Sequence, residues 1–131
     1  MLSANNSSTT PGVILVVDDQ EAVRASLSAM LRRLGYAHLL AKDGVEALEV
    51  YRRCADQVVL VILDLVMPRM SGREVLHELR SAACSVAVVL CSGQTEEQVA
   101  AVAAEGADGY LLKPVRLAAL RAKIHEVLVQ R

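Results

Sequence analysis

Three uninterrupted apolar runs constrain the fold of this 131-residue chain more than any other feature. They are VILVV at Val13–Val17, VVLVIL at Val58–Leu63 and VAVVLC at Val86–Cys91, and all are rich in β-branched residues. A strand that is apolar on both faces is buried on both faces, as in a parallel sheet covered by helices. All three runs are far shorter than the ~20 residues needed to span a bilayer, so they predict strands of a soluble domain.

Two shorter apolar runs, at Ala37–Ala41 and Gly109–Leu112, bring the number of candidate strands to five. Stretches with helical periodicity separate the runs. The first and last stretches each place apolar residues on one helical face: Val23, Leu27, Met30, Leu31 and Leu34, and then Leu117, Leu120, Ile124, Val127 and Leu128. Because helical crossovers join parallel strands, this alternation predicts an α/β fold with a doubly wound, five-stranded parallel sheet flanked by helices.

Local signals mark the ends of several predicted helices. The spacing of Asp43–Glu46 and of Thr95–Gln98 is that of a capping box, in which the two residues cap each other's backbone at a helix start. Gly35 and Gly106 stand where helices are expected to stop, because glycine readily adopts the left-handed conformation that ends many helices. These signals agree with the predicted order of elements.

Composition narrows the class of protein. Hydrophobic residues make up 53% of the chain and charged residues 22%, which suits one compact domain with a sizeable core. The net charge of −1 and the aromatic content of 2% argue against direct nucleic-acid or membrane binding, which uses basic surfaces or stacking platforms. Residues 1–12 are rich in Ser, Thr and Asn and are expected to form a flexible leader or linker, with the domain spanning residues 13–131.

The three cysteines, Cys54, Cys84 and Cys91, contain no CxxC pair, so the sequence indicates neither a disulfide framework nor a zinc site. We expect small core hydrophobes in a reducing, cytoplasmic compartment. Cys91 is the one expected to be sensitive to oxidation, because it adjoins Ser92 at the end of a predicted strand.

Candidate functional residues follow four of the five predicted strands. Asp18 and Asp19 come after the first strand, Asp64 after the third, Ser92 after the fourth and Lys113 after the fifth. Ligands of doubly wound sheets bind beyond the carboxyl ends of the strands, so these side chains are candidates for one functional site.

Each of these residues also has a purely structural interpretation. Taken alone, Asp18 or Asp19 is expected to cap the following helix, Ser92 to lie in a turn, and Lys113 to be a solvated surface residue. The combination of these residues favours a functional site instead. Two carboxylates about 4 Å apart repel by roughly 4 kcal/mol at an effective dielectric constant near 20. A cluster of three therefore calls for a cation, and an all-oxygen ligand set selects a hard ion such as Mg²⁺.

Lys113 would supply a positive charge for an anion, and Ser92 would donate a hydrogen bond to it. Together with a divalent metal and a carboxylate nucleophile, these groups favour phosphoryl transfer to an aspartate. The sequence contains no glycine-rich nucleotide-binding motif.

The segments VVDDQ, LDLVMPRMSG, CSG and YLLKP together resemble the receiver domain of two-component response regulators, over nearly everything from Val13 onward. The resemblance implies a flavodoxin-like fold with strand order 2-1-3-4-5. It also implies that Asp64 is the phosphoacceptor that becomes 4-aspartylphosphate. In this family Mg²⁺ is held by residues that match Asp18, Asp19, Asp64 and the backbone carbonyl of Val66.

The resemblance assigns further roles near the strand ends. Ser92 matches the residue that contacts the phosphoryl group, although threonine is commoner there, and Lys113 matches the lysine that pairs with it. Tyr110 matches an aromatic residue that changes orientation together with Ser92, so these two residues form the expected switch. The bond between Lys113 and Pro114 is cis in the family. Gln20 is a second small departure, since a residue such as Glu often follows the acidic pair.

The implied function is that of a phosphoacceptor rather than an enzyme, with only self-directed phosphotransfer and autodephosphorylation. The implied partners are a histidine kinase or phosphotransfer protein, and a downstream protein that binds the face formed within residues 95–129. Two alternatives stay open: an interaction module that signals without phosphorylation, and a small-molecule aspartyl phosphatase, which the absence of a DxD motif at Asp64 disfavours. The chain is expected to be either a stand-alone regulator or the receiver of a hybrid sensor histidine kinase.

Overall fold

A computed structural model of the protein describes residues 12–82 and 84–130. Strands and helices alternate along this part of the chain. The strands are β1 Val13–Val17, β2 Ala37–Ala41, β3 Val58–Asp64, β4 Ala87–Ser92 and β5 Gly109–Leu112. The helices are α1 Glu21–Leu34, α2 Gly44–Cys54, α3 Gly72–Ser81, α4 Glu96–Ala103 and α5 Leu117–Val129.

The strands form one parallel sheet in the order β2-β1-β3-β4-β5, which confirms the predicted fold class and strand order. β3 continues one residue further than predicted because Asp64 still pairs with Cys91. β4 lies one residue later than predicted, since Ala87 is its first residue in register with β3. The sheet ladder therefore extends into the polar residues at the carboxyl ends of both strands.

Two hydrophobic cores cover the two faces of the sheet. In β3, Val61 and Leu63 belong to the core shared with α2, α3 and α4, whereas Leu60 and Ile62 belong to the core shared with α1 and α5. This division explains why the central strands are apolar up to their last residues: alternate side chains point to opposite faces and both faces are covered. Because the buried strands end together at one edge of the sheet, the polar residues at their carboxyl ends lie at that edge.

Side-chain caps begin three of the helices. Asp43 accepts a hydrogen bond from the backbone N–H of Glu46 at the start of α2. The predicted Thr95–Gln98 capping box is present in α4, and a second box that the sequence analysis did not identify, Ser71–Glu74, begins α3. These caps satisfy backbone N–H groups that have no partner within the first helical turn.

Taken alone, Asp18 or Asp19 was expected to cap α1, and the structure differs from this expectation. Its N-cap residue is Gln20, so neither Asp18 nor Asp19 caps the helix. Gly35 ends α1 in the left-handed conformation, as predicted, with φ of 87°. Gly106 lies beyond the end of α4 rather than directly at its C-cap, which is Ala104.

The predicted leader, residues 1–12, lies outside the described residues except for Gly12. Among the helices that the structure describes, none has the length and apolar character of a membrane-spanning segment.

Candidate functional site

The carboxyl edge of the sheet brings the predicted acidic residues together. Asp18 and Asp19 follow β1, and Asp64 is the last residue of β3. One carboxylate oxygen from each residue lies within 4.8 Å of the others. Asp18 and Asp64 are only 1% and 4% exposed, whereas Asp19 is exposed. The cluster therefore combines two buried carboxylates with one that faces solvent.

Lys113 joins this cluster from the end of β5. Its Nζ donates to Asp18 Oδ2 at 2.8 Å and to Asp64 Oδ1 at 3.2 Å, and its backbone N–H donates to the carbonyl of Ser92 at 2.7 Å. Burial works against the charge of the ammonium, but Asp18 and Asp64 outweigh it and raise the pKa of Lys113. The interpretation of Lys113 as a solvated surface residue is therefore wrong. The peptide bond from Lys113 to Pro114 is cis, as the resemblance implied.

Burial raises the pKa of Asp64 to about 6, and the negative charge of Asp18 adds to this effect. The charge and hydrogen bond of Lys113, with a backbone hydrogen bond from Val66, act in the opposite direction but do not cancel it. The single positive charge of Lys113, which is shared with Asp18, therefore does not fully compensate the Asp64 carboxylate. Its surroundings favour either a proton or a further cation.

Cys91 lies beside this site without taking part in it. Its side chain is 1% exposed, and burial raises the pKa of the thiol to about 12. Because the thiolate is the species that reacts with oxidants, a buried thiol that stays protonated is a poor target. The expected oxidation sensitivity of Cys91 is therefore not supported.

The loop after Asp64 is held close to the end of β3. The N–H of Gly72 donates to the carbonyl of Leu65 at 3.0 Å, and the N–H of Leu65 donates to the carbonyl of Cys91 at 3.1 Å. A Cβ atom on residue 72 would overlap the carbonyl oxygen of Asp64, so only glycine fits at this point. Val66, between these contacts, is 58% exposed beside Asp64.

An open cleft of about 400 Å³ lies over the cluster. It is lined by residues from the loops that follow β1, β3, β4 and β5: Asp19, Gln20, Asp64, Val66, Met67, Pro68, Gly93 and Lys113. The cleft gives a small ligand or a partner side chain access to Asp64 and Lys113.

The donor set fits a hard divalent cation. Asp18, Asp19 and Asp64 offer carboxylate oxygens, with Lys113 as the cation that contacts two of them. Oxygen-only ligands favour Mg²⁺ or Ca²⁺ over softer metals. Both oxygens of Asp18 already accept hydrogen bonds, one from the backbone N–H of Gln20 at 2.9 Å and one from Lys113.

The two residues of the expected switch lie on neighbouring strands. Ser92, at the end of β4, is 1% exposed, and its Oγ accepts a hydrogen bond from the N–H of Gln94 at 3.0 Å. Tyr110 in β5 is half-buried, and its hydroxyl donates to Glu96 Oε2 at 2.8 Å. This hydrogen bond raises the pKa of the tyrosine hydroxyl. Tyr110 is thus held toward the first turn of α4.

Sequence reasoning missed Arg24, which reaches back from α1 and donates from Nη1 to the backbone carbonyl of Asp18 at 2.8 Å. In the sequence this arginine is only a charged residue outside the apolar face of a helix. A contact to a main-chain atom across a turn leaves no residue pattern that would reveal it.

Comparison with known proteins identifies the class to which this fold and site belong. A family model described as the response regulator receiver domain matches residues 14–125. The chain belongs to this family, and it is a receiver domain of the response regulators that act in two-component signalling.

Individual relatives agree with this assignment. The chain is 44% identical over 117 residues to the response regulator MprA of Mycobacterium leprae (strain TN), a match that covers 88% of this chain and 50% of MprA. It is 43% identical to MprA of Mycobacterium ulcerans (strain Agy99), with 88% and 49% covered. The chain thus spans about half the length of the curated relatives it matches.

Solved structures show the same fold. A response regulator receiver domain protein from Clostridium thermocellum is 29% identical with a TM-score of 0.84, and the match covers 91% of this chain and 95% of that one. The response regulator TrrA from Thermotoga maritima, in complex with Mg²⁺ and BeF, is 32% identical with a TM-score of 0.79, covering 89% and 99%. A chain of the CheX–CheY–BeF₃–Mg²⁺ complex from Borrelia burgdorferi is also similar, at 26% identity and a TM-score of 0.84, covering 89% of each chain.

Proposed function

We propose that this protein accepts a phosphoryl group from a histidine kinase or phosphotransfer protein onto Asp64, in a Mg²⁺-dependent reaction, and thereby changes a partner-binding surface. The observation that carries the proposal is the arrangement at the carboxyl edge. A buried carboxylate faces an open cleft there, with two further carboxylates and one lysine ammonium beside it. Membership in the receiver family supports the same function.

In the proposed reaction, a carboxylate oxygen of Asp64 attacks the phosphorus of a phosphohistidine. A P–O bond forms as the P–N bond breaks, and the imidazole leaves with the bonding electrons. Lys113 already donates to Asp64 and is placed to hold an oxygen of the incoming phosphoryl group. Ser92 is the buried hydroxyl proposed to donate to another oxygen once its own position adjusts.

Asp18, Asp19, Asp64 and the backbone carbonyl of Val66 are the groups proposed to hold Mg²⁺. When bound, the ion supplies positive charge for the phosphoryl oxygens. The chain's own contribution is to keep two of these carboxylates buried and close together, which stores repulsion that a cation relieves.

The signal is proposed to leave the site through Ser92 and Tyr110. If Ser92 moves toward a phosphoryl group, space opens beside β5, and Tyr110 can leave Glu96 and turn inward. This movement would repack the face made by residues 95–105, 109–112 and 115–129, which is the surface proposed for a downstream protein. We also propose that residues 13–131 form the receiver domain and that it works in the cytoplasm without membrane or direct nucleic-acid contact.

The experiment that tests this function is intact-mass measurement after incubation with acetyl phosphate. We expect the parent protein to gain one phosphoryl group with Mg²⁺ and not with EDTA, and the Asp64→Asn variant to gain none. Asp56→Asn is the matched control, because Asp56 is an exposed aspartate outside the site, and it should label like the parent. A folded parent that never labels would favour the alternative, an interaction module that acts without phosphorylation.

The metal proposal has its own measurement, which is the melting temperature with and without millimolar Mg²⁺. Binding to the folded state alone raises the melting temperature, so the parent should show a Mg²⁺-dependent increase. Asp19→Asn removes one repelling carboxylate, so this variant should melt higher than the parent without metal and respond less to Mg²⁺. Absence of any Mg²⁺ response in the parent would contradict the metal assignment.

A further inference from the structure

Arg24 connects helix α1 to the loop that carries the acidic pair. It lies in the first turn of the helix and is half-buried. Its guanidinium Nη1 donates to the backbone carbonyl of Asp18 at 2.8 Å, and its backbone N–H donates to the carbonyl of Gln20 at 3.1 Å. The backbone bond is the first i→i−4 bond of the helix, so it is the guanidinium of Arg24 that ties α1 to the loop before its N-cap residue.

The contact from Arg24 completes a set of four hydrogen bonds around Asp18. The N–H of Asp18 donates to the carbonyl of Ala41 at 3.2 Å. Its carboxylate accepts from the N–H of Gln20 and from Lys113, and its carbonyl accepts from Arg24. Of these four contacts, the one from Arg24 fixes the plane of the peptide bond that leads to the next residue, because that bond is planar.

The next residue is Asp19, the exposed carboxylate of the cluster. Within the described residues, no hydrogen bond or ion pair holds the Asp19 carboxylate itself. The direction of its Cα–Cβ bond, and so the space that its carboxylate can reach, is set by the backbone on either side, which Arg24 and the N–H of Gln20 hold in place. We propose that Arg24 is a positioning residue for divalent cation binding: by holding the Asp18 carbonyl, it orients Asp19 toward Asp64. This inference rests on the proposed function of the site.

The charge of Arg24 alone would have the opposite effect. A cation near three carboxylates repels a second cation, so its removal would tighten Mg²⁺ binding if charge were all that mattered. Loss of positioning would weaken Mg²⁺ binding, because residues that orient metal ligands affect affinity strongly. The direction of the change thus separates the two effects.

The test is the Mg²⁺ dissociation constant, measured by isothermal titration calorimetry on folded protein. We expect Arg24→Met to weaken binding by about tenfold, in line with other groups that orient metal ligands. Arg33→Met is the matched control, because Arg33 lies on the exposed side of the same helix and its loss changes the net charge equally. Arg33→Met should stay within about twofold of the parent, since surface charges at this distance are screened by salt.

Arg24→Lys retains the charge but replaces the planar guanidinium fork with a point donor on a shorter side chain. We expect this variant to bind Mg²⁺ about threefold more weakly than the parent, between the parent and Arg24→Met. It also keeps the inference testable if Arg24→Met does not fold. A scan in EDTA checks that each variant is folded at the temperature of the titration, so that a change in affinity is not a change in folded fraction.

If Arg24→Met binds Mg²⁺ as tightly as the parent or more tightly, the positioning role is overturned and the proposed function is left intact. If Arg24→Met does not fold, parental binding in Arg24→Lys has the same meaning. A parent that binds no Mg²⁺ would overturn the proposed function and this inference together.

Discussion

The burial and raised pKa of Asp64 show how the surroundings of a single residue favour binding of a proton or a cation. It is 4% exposed, its pKa is raised to about 6 from an ordinary value of 3.8, and its neighbour Asp18 is equally buried. Lys113 contacts both carboxylates but provides only one positive charge. The site therefore binds a proton more readily than a solvated aspartate does, and a metal ion can take the proton's place.

The raised pKa of Asp64 predicts how the stability of the metal-free protein depends on pH. A group with a higher pKa in the folded state adds stability that is fully present below its unfolded pKa, near 3.8, and is lost as pH rises through about 6. In EDTA, the unfolding free energy of the parent relative to Asp64→Asn should therefore be larger at pH 5 than at pH 7. Urea unfolding at the two pH values measures this difference.

The control for this prediction is Asp56→Asn, which removes an exposed carboxylate elsewhere in the chain. The parent relative to Asp56→Asn should show no comparable change between the two pH values. Equal behaviour of Asp64→Asn and Asp56→Asn would mean that the pKa of Asp64 is not raised in solution.

The positions of individual site residues could be predicted from the sequence where they follow from the order of the strands. Asp18, Asp64 and Lys113 each follow a predicted strand, so parallel order alone brings them to one edge. The contact of Arg24 with a backbone carbonyl could not be predicted, because it depends on the path of the loop rather than on residue type. The same holds for the hydrogen bond between Tyr110 and Glu96.

At the scale of elements, the junction of β3, its following loop and α3 positions Asp64, the proposed phosphoacceptor. Gly72 begins α3 directly against the end of β3, with its N–H bound to the carbonyl of Leu65. Ser71 and Glu74 cap the same helix end. The helix start and the strand end are therefore in contact, and the loop between them projects beside the cleft.

Gly72→Ala should destabilise the fold because its Cβ would overlap the carbonyl oxygen of Asp64, which is fixed backbone. Overpacking of this kind costs about 1–3 kcal/mol of unfolding free energy. Gly93→Ala is the matched control, since a Cβ there meets no atom within 4 Å, and it should change stability by less than about 0.5 kcal/mol. Chemical denaturation measures both, and equal stability of the two variants would contradict the close approach at Gly72.

The order of the elements was predictable because the continuous apolar runs of the strands and the helical spacing of apolar residues are both strong in this sequence. Continuous apolar runs gave the strands to within one residue, and the apolar faces of α1 and α5 contain the buried Leu27, Leu31, Leu120 and Ile124. The start of α1 was less predictable, since three polar residues in succession could each have been the N-cap. The carboxylate of Asp18 is engaged by Lys113 and by the N–H of Gln20, and the helix begins only after Gln20, whose side chain makes no capping bond.

At the scale of the whole molecule, the site and the surface proposed to respond to it adjoin at the end of β5. The site lies at the carboxyl edge, and α4, β5 and α5 form the face proposed for a partner. Ser92 ends β4 beside the site, and Tyr110 lies in β5 within that face. In the proposed mechanism, a change at Asp64 reaches that face because these two side chains repack together.

Replacing Ser92 by alanine should uncouple phosphorylation from this response. The Ser92→Ala variant keeps Asp64 and Lys113, so it should still accept phosphate, more slowly than the parent, but should fail to reach the activated conformation. Amide chemical shifts of residues 95–129, recorded with and without beryllofluoride, measure the response. Ser81→Ala, an exposed serine at the end of α3, is the control and should respond like the parent. Equally large shifts in Ser92→Ala would mean that the signal takes another route.

The most direct test of the central claim is to locate the phosphoryl group after Mg²⁺-dependent labelling. Borohydride reduces an aspartyl phosphate to homoserine, which peptide mass spectrometry identifies by position. We predict homoserine at position 64 in the labelled parent, and none there when EDTA replaces Mg²⁺. Homoserine at Asp18 or Asp19 instead, or a stable label that resists borohydride, would contradict the assignment of Asp64 as the phosphoacceptor.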